Sequence, residues 1–245
     1  MSGKYEKSEA GEIVVKRRFA QWFENFWYYY KWHTIIIVFF LTVGIICFAQ
    51  CAASKNSNDL VIAYAGGFSP DKEQNQLICE VFGSVVPEEE DGSAHGVMLN
   101  YFAVFTEEEA KILSTNEKGE TNTNGVRELL QRSMTNIDQF SQFSKTGKAA
   151  VWLVSEYVYE SLHLNEISMP LSNLYGEDLP EARYDDYAVR LSETDLYRYY
   201  GALRELPPDT LVVMPAKLIL GVSRDAETYG YFCQVFRAIV DFRAP

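Results

Sequence analysis

Side chains able to carry chemistry are thinly spread in this chain. Its three histidines, His33, His95 and His163, lie far apart, with no pair at metal-ligand spacing. No G-x-S-x-G, H-E-x-x-H or C-x-x-C occurs. The stretch SKTGKAA (144–150) resembles part of a phosphate-binding loop. The first glycine is missing, however, and Ala149 stands where Ser or Thr would hold magnesium. The acidic run Glu88–Asp91, followed by Gly92, lacks the alternating ligand spacing of a calcium loop and reads as a solvated loop. The sequence thus gives no positive support for an enzyme, and we expect no cofactor and no bound metal.

Binding is the chemistry that remains. In open α/β sheets, ligands sit beyond the carboxyl ends of strands, where helix N-termini offer N–H groups. Three such ends can be named. Gly66, Gly67, Phe68 and Ser69 follow the apolar strand DLVIAYAGG (59–67). Phe105 and Thr106 follow VMLNYFAVF (97–105). Ser155, Glu156 and Tyr157 follow GKAAVWLVS (147–155). Each group also has a plain structural use: a tight turn, a helix cap, or packing. Ten of the sixteen tyrosines lie after residue 150. They are expected to wall a cleft at these loops or to form an interface.

The elements that would position these residues alternate. Two further strands are expected at YAVRLS (187–192) and DTLVVMP (209–215). Between the strands lie amphipathic stretches with cap signals. Ser69 with Pro70 precedes one helix, Thr106 and Glu109 form a capping box, and Ser192 precedes another. VRELLQRSMTNIDQFSQF (126–143) places Leu129, Leu130, Met134, Ile137 and Phe140 on one side. Residues 223–242 form a closing helix. The pattern predicts a three-layer α/β/α domain over 59–245. LVIAYA has no polar alternation, so this first strand belongs in the sheet interior, covered on both faces. Within this domain Cys79 and Cys233 are either two buried thiols or a single bridge between an early helix and the last one.

The N-terminal segment obeys different physics. Thr34–Ala53 is a run of twenty uncharged residues. It would span roughly 30 Å as a helix, the thickness of a bilayer's hydrocarbon core. In front of it stands FWYYYKW (26–32). Trp and Tyr favour the headgroup level because their rings are apolar and their polar tips seek water. Trp22, Trp27, Tyr30 and Trp32 are therefore candidate interface anchors. Phe19, Trp22, Phe23, Phe26, Trp27 and Tyr30 recur at helical spacing. This predicts an interfacial helix over 13–32 that lies along the membrane or runs on into the span. The alternative is a cytoplasmic helix packed on a partner. Neither Cys47 nor Cys51 follows a small residue, so neither sits in a lipobox.

Charge orients the chain. Residues 1–33 hold six basic and four acidic residues, leaving 16 basic and 30 acidic beyond them. Positive flanks stay in the cytoplasm. The organisation expected is a cytoplasmic tail (1–33), a membrane span (34–53), a linker (54–58) and an extracellular domain (59–245). A domain this acidic repels a nucleic-acid backbone, so the expected partners are the lipid bilayer and either a small molecule or an envelope protein.

The order of motifs then becomes informative. TNTNGVRELLQRSMTNIDQFSQFSKTGKAAVWLVSEYVYESLHLNEISMPLSNL resembles the first lobe of type 2 extracellular solute-binding proteins. The match consists of a long helix, a Gly-led strand, a short helix like EYVYESL, and a loop ending in Pro170–Leu171. DLVIAYAGGFSPD resembles their opening strand and turn, and WFENFWYYYKWHTI resembles membrane-anchored proteins of Gram-positive bacteria that carry such a domain. The resemblance covers 59–171, and 187–242 more loosely. It implies a periplasmic-binding-protein-like domain that captures or senses a small molecule for a transport-linked system. Full binding proteins are much longer, so it also implies a reduced second lobe. With that reduction comes the alternative of a degenerate fold serving as a protein-interaction module at the cell surface.

Overall fold

Leu60–Gly66 is apolar at almost every position and becomes β1, a strand buried along nearly its whole length. The structure, a computed structural model, describes residues 26–46, 60–87, 96–219, 222–223 and 226–244. β1 is flanked by β2 (Val97–Ala103) on one side and β3 (Ala149–Ser155) on the other, parallel to both. β5 (Thr210–Val213) pairs antiparallel with β3, and β4 (Ala188–Arg190) pairs antiparallel with β5. The sheet order is β2-β1-β3-β5-β4, with β5 the reversed strand. A two-residue hairpin, β6 (Leu218–Ile219) and β7 (Val222–Ser223), stands outside this sheet and has no counterpart in the sequence reading.

Alternate residues of each strand feed two cores. Ile62, Tyr64, Leu153, Val189, Val212 and Met214 face one side. There they meet Ile78 and Phe82 of α2 (Lys72–Val85) and Val235, Phe236 and Ile239 of α8 (Ala226–Val240). α6 (Leu171–Tyr175) and α7 (Asp195–Tyr199) add Leu171, Leu174 and Leu196 to that side. Ala63, Ala65, Trp152, Val154, Leu211 and Val213 face the other. They pack on Phe140 of α4 (Thr123–Ser144) and on Val158 and Tyr159 of α5 (Glu156–Ser161). Helices thus cover both faces of the sheet, as its apolar strands require.

Several expectations need correction. α2 is capped by Asp71, not Ser69. The Asp71 carboxylate accepts from Gln74 N at 2.8 Å, and the Gln74 side chain accepts from Asp71 N at 3.0 Å. Ser69 lies a residue before Pro70 and is exposed, too early to reach the first turn. α7 is capped by Thr194, not Ser192, whose hydroxyl instead donates to Pro208 O at 2.7 Å. Met134 is 69% exposed and does not join the α4 core stripe. Ser133 takes that side, donating to Leu129 O and accepting from Phe105 N, both at 2.9 Å. The helix passes the end of β2 there, where a small hydroxyl meets a backbone need that a thioether cannot. The box at Thr106 and Glu109 forms as read, at the start of α3 (Glu107–Leu113).

The chain divides into two compact units, Met1–Ser57 and Asn58–Pro245. Asn58–Pro245 holds the five-stranded sheet and its helices. Cys79 and Cys233 sit on α2 and α8 as free, half-buried thiols, so the bridge is not formed.

In the first unit, Phe26–Ile46 forms one continuous helix, α1, with a mean hydropathy of 1.5. By length and composition it can cross a membrane. It runs through the boundary expected at residue 33, so the aromatic block and the apolar run share one helix. Phe26 and Tyr30 stack one turn apart, with ring centroids 5.3 Å apart. Trp27, Tyr30 and Trp32 are all exposed along it. The Thr42 hydroxyl donates to Val38 O at 2.8 Å, one turn back along the helix. Trp22, the rest of the expected interfacial helix, residues 47–53 of the span, the linker and the acidic run at 88–91 lie outside the described residues.

Candidate functional site

Parallel pairing brings the expected loops together. Gly66 is level with Ala103, Ala65 with Val154, and Ser155 with Thr210. The carboxyl ends of β1, β2 and β3 therefore open on one sheet edge. Gly66, Gly67, Phe68, Ser69, Phe105, Thr106, Ser155, Glu156 and Tyr157 all lie on it.

Their local chemistry is largely committed within the chain. The two glycines give room to neighbours. A β-carbon on Gly66 would stand 2.7 Å from the Tyr64 hydroxyl oxygen, and one on Gly67 would collide with the Glu109 carboxylate. Phe68 packs edge-on against Tyr64, 6.2 Å between centroids. The Phe105 N–H is taken by Ser133. Thr106 Oγ1 donates to Glu109 Oε2 at 2.8 Å and accepts from Glu109 N at 3.3 Å. The buried Ser155 hydroxyl accepts from Val158 N at 3.3 Å and caps α5. Glu156 is ion-paired with Arg190. Tyr157, at 46% exposed, presents its ring to solvent, as Ser69 does its hydroxyl.

Five residues at this edge escaped the sequence reading of the site: Tyr64, Glu109, Arg190, Asp209 and Thr210. Asp209 and Thr210 arrive because β5 is reversed, which puts its start among the other strands' ends. The Tyr64 and Thr210 hydroxyls lie side by side near the Phe68 main chain, fully buried, and neither makes a well-formed hydrogen bond. Burial, then the charges of Asp209 and Glu109, push the Tyr64 phenol well above its ordinary value, so it stays protonated. Burial also raises the Asp209 carboxyl, with Glu109 and Glu156 adding repulsion, while the backbone amides of Asp209 and Glu156 pull the other way. The cation here is Arg190. It pairs with Glu156 and, at 3.4 Å, with Glu193, and lies 5.1 Å from the Tyr184 ring centroid.

The second-half tyrosines mostly serve packing rather than a cleft wall. Tyr159 donates to Asp185 at 2.7 Å, Tyr197 to Leu206 O at 3.0 Å, Tyr229 to Pro215 O at 3.0 Å and Tyr231 to Pro87 O at 3.1 Å. Among the described residues no cluster of three or more His, Cys, Asp or Glu is arranged to hold a metal. A cleft of about 640 Å³ begins beside the edge at Glu193 and runs to the end of α8. Its charged lining is Glu181, Glu193, Asp195 and Asp241 against Arg198 and Arg243. The edge can thus recognise a surface through Tyr157 and the Glu156–Arg190 pair, but most of its polar atoms are already engaged. Compared with known protein families, curated proteins and solved structures, the chain gives no match.

Proposed function

We propose that this chain is a single-pass membrane protein whose outward domain works as a protein-interaction module, a one-lobed relative of the solute-binding fold. The observation that carries this reading is the state of the loop edge. The Thr106 and Ser155 hydroxyls, the Gly pair and the Phe105 N–H are taken up by capping, close packing and a side-chain hydrogen bond. Support for the anchor comes from α1, whose aromatic first turns and uncharged remainder suit a bilayer interface and core. The surface left for a partner centres on the exposed Tyr157 ring beside the Glu156–Arg190 pair, an aromatic and a charged group of the kind enriched at interfaces.

A second reading, capture of a small molecule, is favoured by the cleft at Glu193–Asp195 and Asp241, whose size falls in the range of ligand sites. Two measurements separate them. A photo-crosslinking residue at position 157, in the native membrane, is expected to give one protein adduct of defined mass. A metabolite library is expected to leave the melting temperature of residues 58–245 unchanged. A metabolite that stabilises the domain, with the effect lost in Asp241→Asn, would replace the interaction reading by the receptor one.

A further inference from the structure

The loop edge holds more negative charge than the chain neutralises. Ser155 is level with Thr210 in the antiparallel pair, which sets Glu156 beside Asp209. Glu109 reaches the same edge from α3, with its carboxylate against Gly67. Arg190 is spent on Glu156 and, at 3.4 Å, on Glu193. Among the described residues neither Asp209 nor Glu109 has an ion-pair partner. Both are half-buried, where an unpaired charge is costly. They weigh on the folded domain, as groups kept for binding rather than for folding do.

Clustered carboxylates alone are a solvated face, but two buried groups set this cluster apart. Tyr64 and Thr210 are each 0% exposed, and their hydroxyls lack a partner. The Tyr64 oxygen sits against Gly66, 2.7 Å from the place of a β-carbon there, and the next residue, Gly67, borders Glu109. The charges of Asp209 and then Glu109 act on this phenol. Thr210 directly follows Asp209 at the start of β5. Buried hydroxyls without partners are rare in folded chains, and their oxygens keep free lone pairs. Asp209, Glu109, Tyr64 and Thr210 thus all present acceptor oxygens, and the carboxylates call for a donor with positive charge.

Resting on the interaction reading above, we propose that the partner at Tyr157 carries a lysine or arginine side chain that docks against Asp209 and Glu109. An ammonium or guanidinium is a pure donor and satisfies carboxylates and hydroxyl oxygens alike. It needs acceptors on one side only. A metal ion needs a closed set of ligands, and no three His, Cys, Asp or Glu are arranged to give one among the described residues. The exposed Tyr157 ring on the same edge offers a face to the same cation. Charge over the longer range agrees. Beyond residue 33 the chain holds 30 acidic and 16 basic residues, a field that draws a basic partner and repels an acidic one.

The test uses the full chain in its native membrane, with the photo-crosslinking residue at position 157. Asp209→Asn/Glu109→Gln removes both charges, keeps both shapes and leaves an acceptor oxygen for the capping box. Glu117→Gln/Glu120→Gln removes the same charge from the exposed turn after α3 and serves as the control. The adduct is expected to fall about tenfold in the first variant and to stay near the wild-type level in the control. The first variant should melt no lower than the control, so that unfolding does not explain the loss. Should it melt lower, Asp209→Asn alone carries the same comparison. An adduct equally strong in both variants overturns the proposal and leaves the interaction reading standing. Absence of any adduct from the wild-type chain removes both. If calcium chloride or spermidine alone raises the melting temperature of the wild-type chain, and not that of Asp209→Asn/Glu109→Gln, the carboxylates hold a free cation and the proposal fails.

Discussion

At the scale of single residues, Asp209 is the most exacting feature of the loop edge. It is half-buried, and Glu109 and Glu156 face it from α3 and α5. Burial first, then these charges, raise its pKa above that of the unfolded chain. The folded state therefore holds the proton more tightly than the unfolded one. Stability falls as pH rises through the window from the ordinary aspartate value to the raised one, and the penalty is full above it. Asp209→Asn keeps the shape and the acceptor oxygen without the charge. It should melt higher than the parent at pH 7, and the gap should shrink as pH is brought down to about 4. An asparagine variant less stable than the parent at every pH would mean that the carboxylate is held by favourable partners after all. Tyr64 and Thr210 belong to the same locality, where two buried hydroxyls stand without good partners, a rare and costly state.

At the scale of elements, the domain shows how local signals can be right in kind and displaced in place. α2 carries a reciprocal cap, but on Asp71 rather than on Ser69. Asp71→Ala should therefore destabilise residues 58–245 by about 1 kcal/mol in urea unfolding, whereas Ser69→Ala should be nearly neutral. Equal losses would return the cap to Ser69. The displacement has a plain cause. Ser-Pro-Asp offers two capping side chains within three residues, and the folded chain sets Asp71 rather than Ser69 at the first turn. α4 gives the complementary case. Its helical period and its core face were legible, with Ile137 and Phe140 on that face, but Met134 points outward and the hydrogen-bonding need of the β2 end places Ser133 there instead.

At the scale of the whole molecule, the chain joins a helix with an uncharged run from Thr34 onward to an acidic domain. Lys16, Arg17 and Arg18 precede α1 and Lys31 lies in its first turns, ahead of the uncharged run, while Lys55 stands alone between the helix and the domain. The proposed topology follows from that asymmetry. A membrane-impermeant thiol reagent on intact cells should label Asn56→Cys and spare Ser8→Cys, in a chain otherwise free of cysteine. Labelling of Ser8→Cys alone would invert the topology. If both positions stay unlabelled until the cells are opened, the domain lies inside and the extracellular reading fails.

What the sequence determined by itself is whatever local chemistry dictates. LVIAYA had to be a doubly covered strand because no residue in it tolerates water well. FWYYYKW ahead of an uncharged run had to form a helix of membrane length. Thr106 and Glu109 had to close a capping box because both partners lie within one turn. The alternation of strands and helices fixed two helical layers over a sheet, and with parallel pairing it brought Gly66, Thr106 and Ser155 to one edge. Tertiary structure alone decided the rest. Reversal of β5 carried Asp209 and Thr210 to that edge, and sequence distance cannot encode a strand's direction. The ion pair of Glu156 with Arg190 joins residues 34 positions apart. Local rules reach about one helical turn along the chain. The charges and hydroxyls that define this molecule's surfaces are brought together by packing over far longer separations.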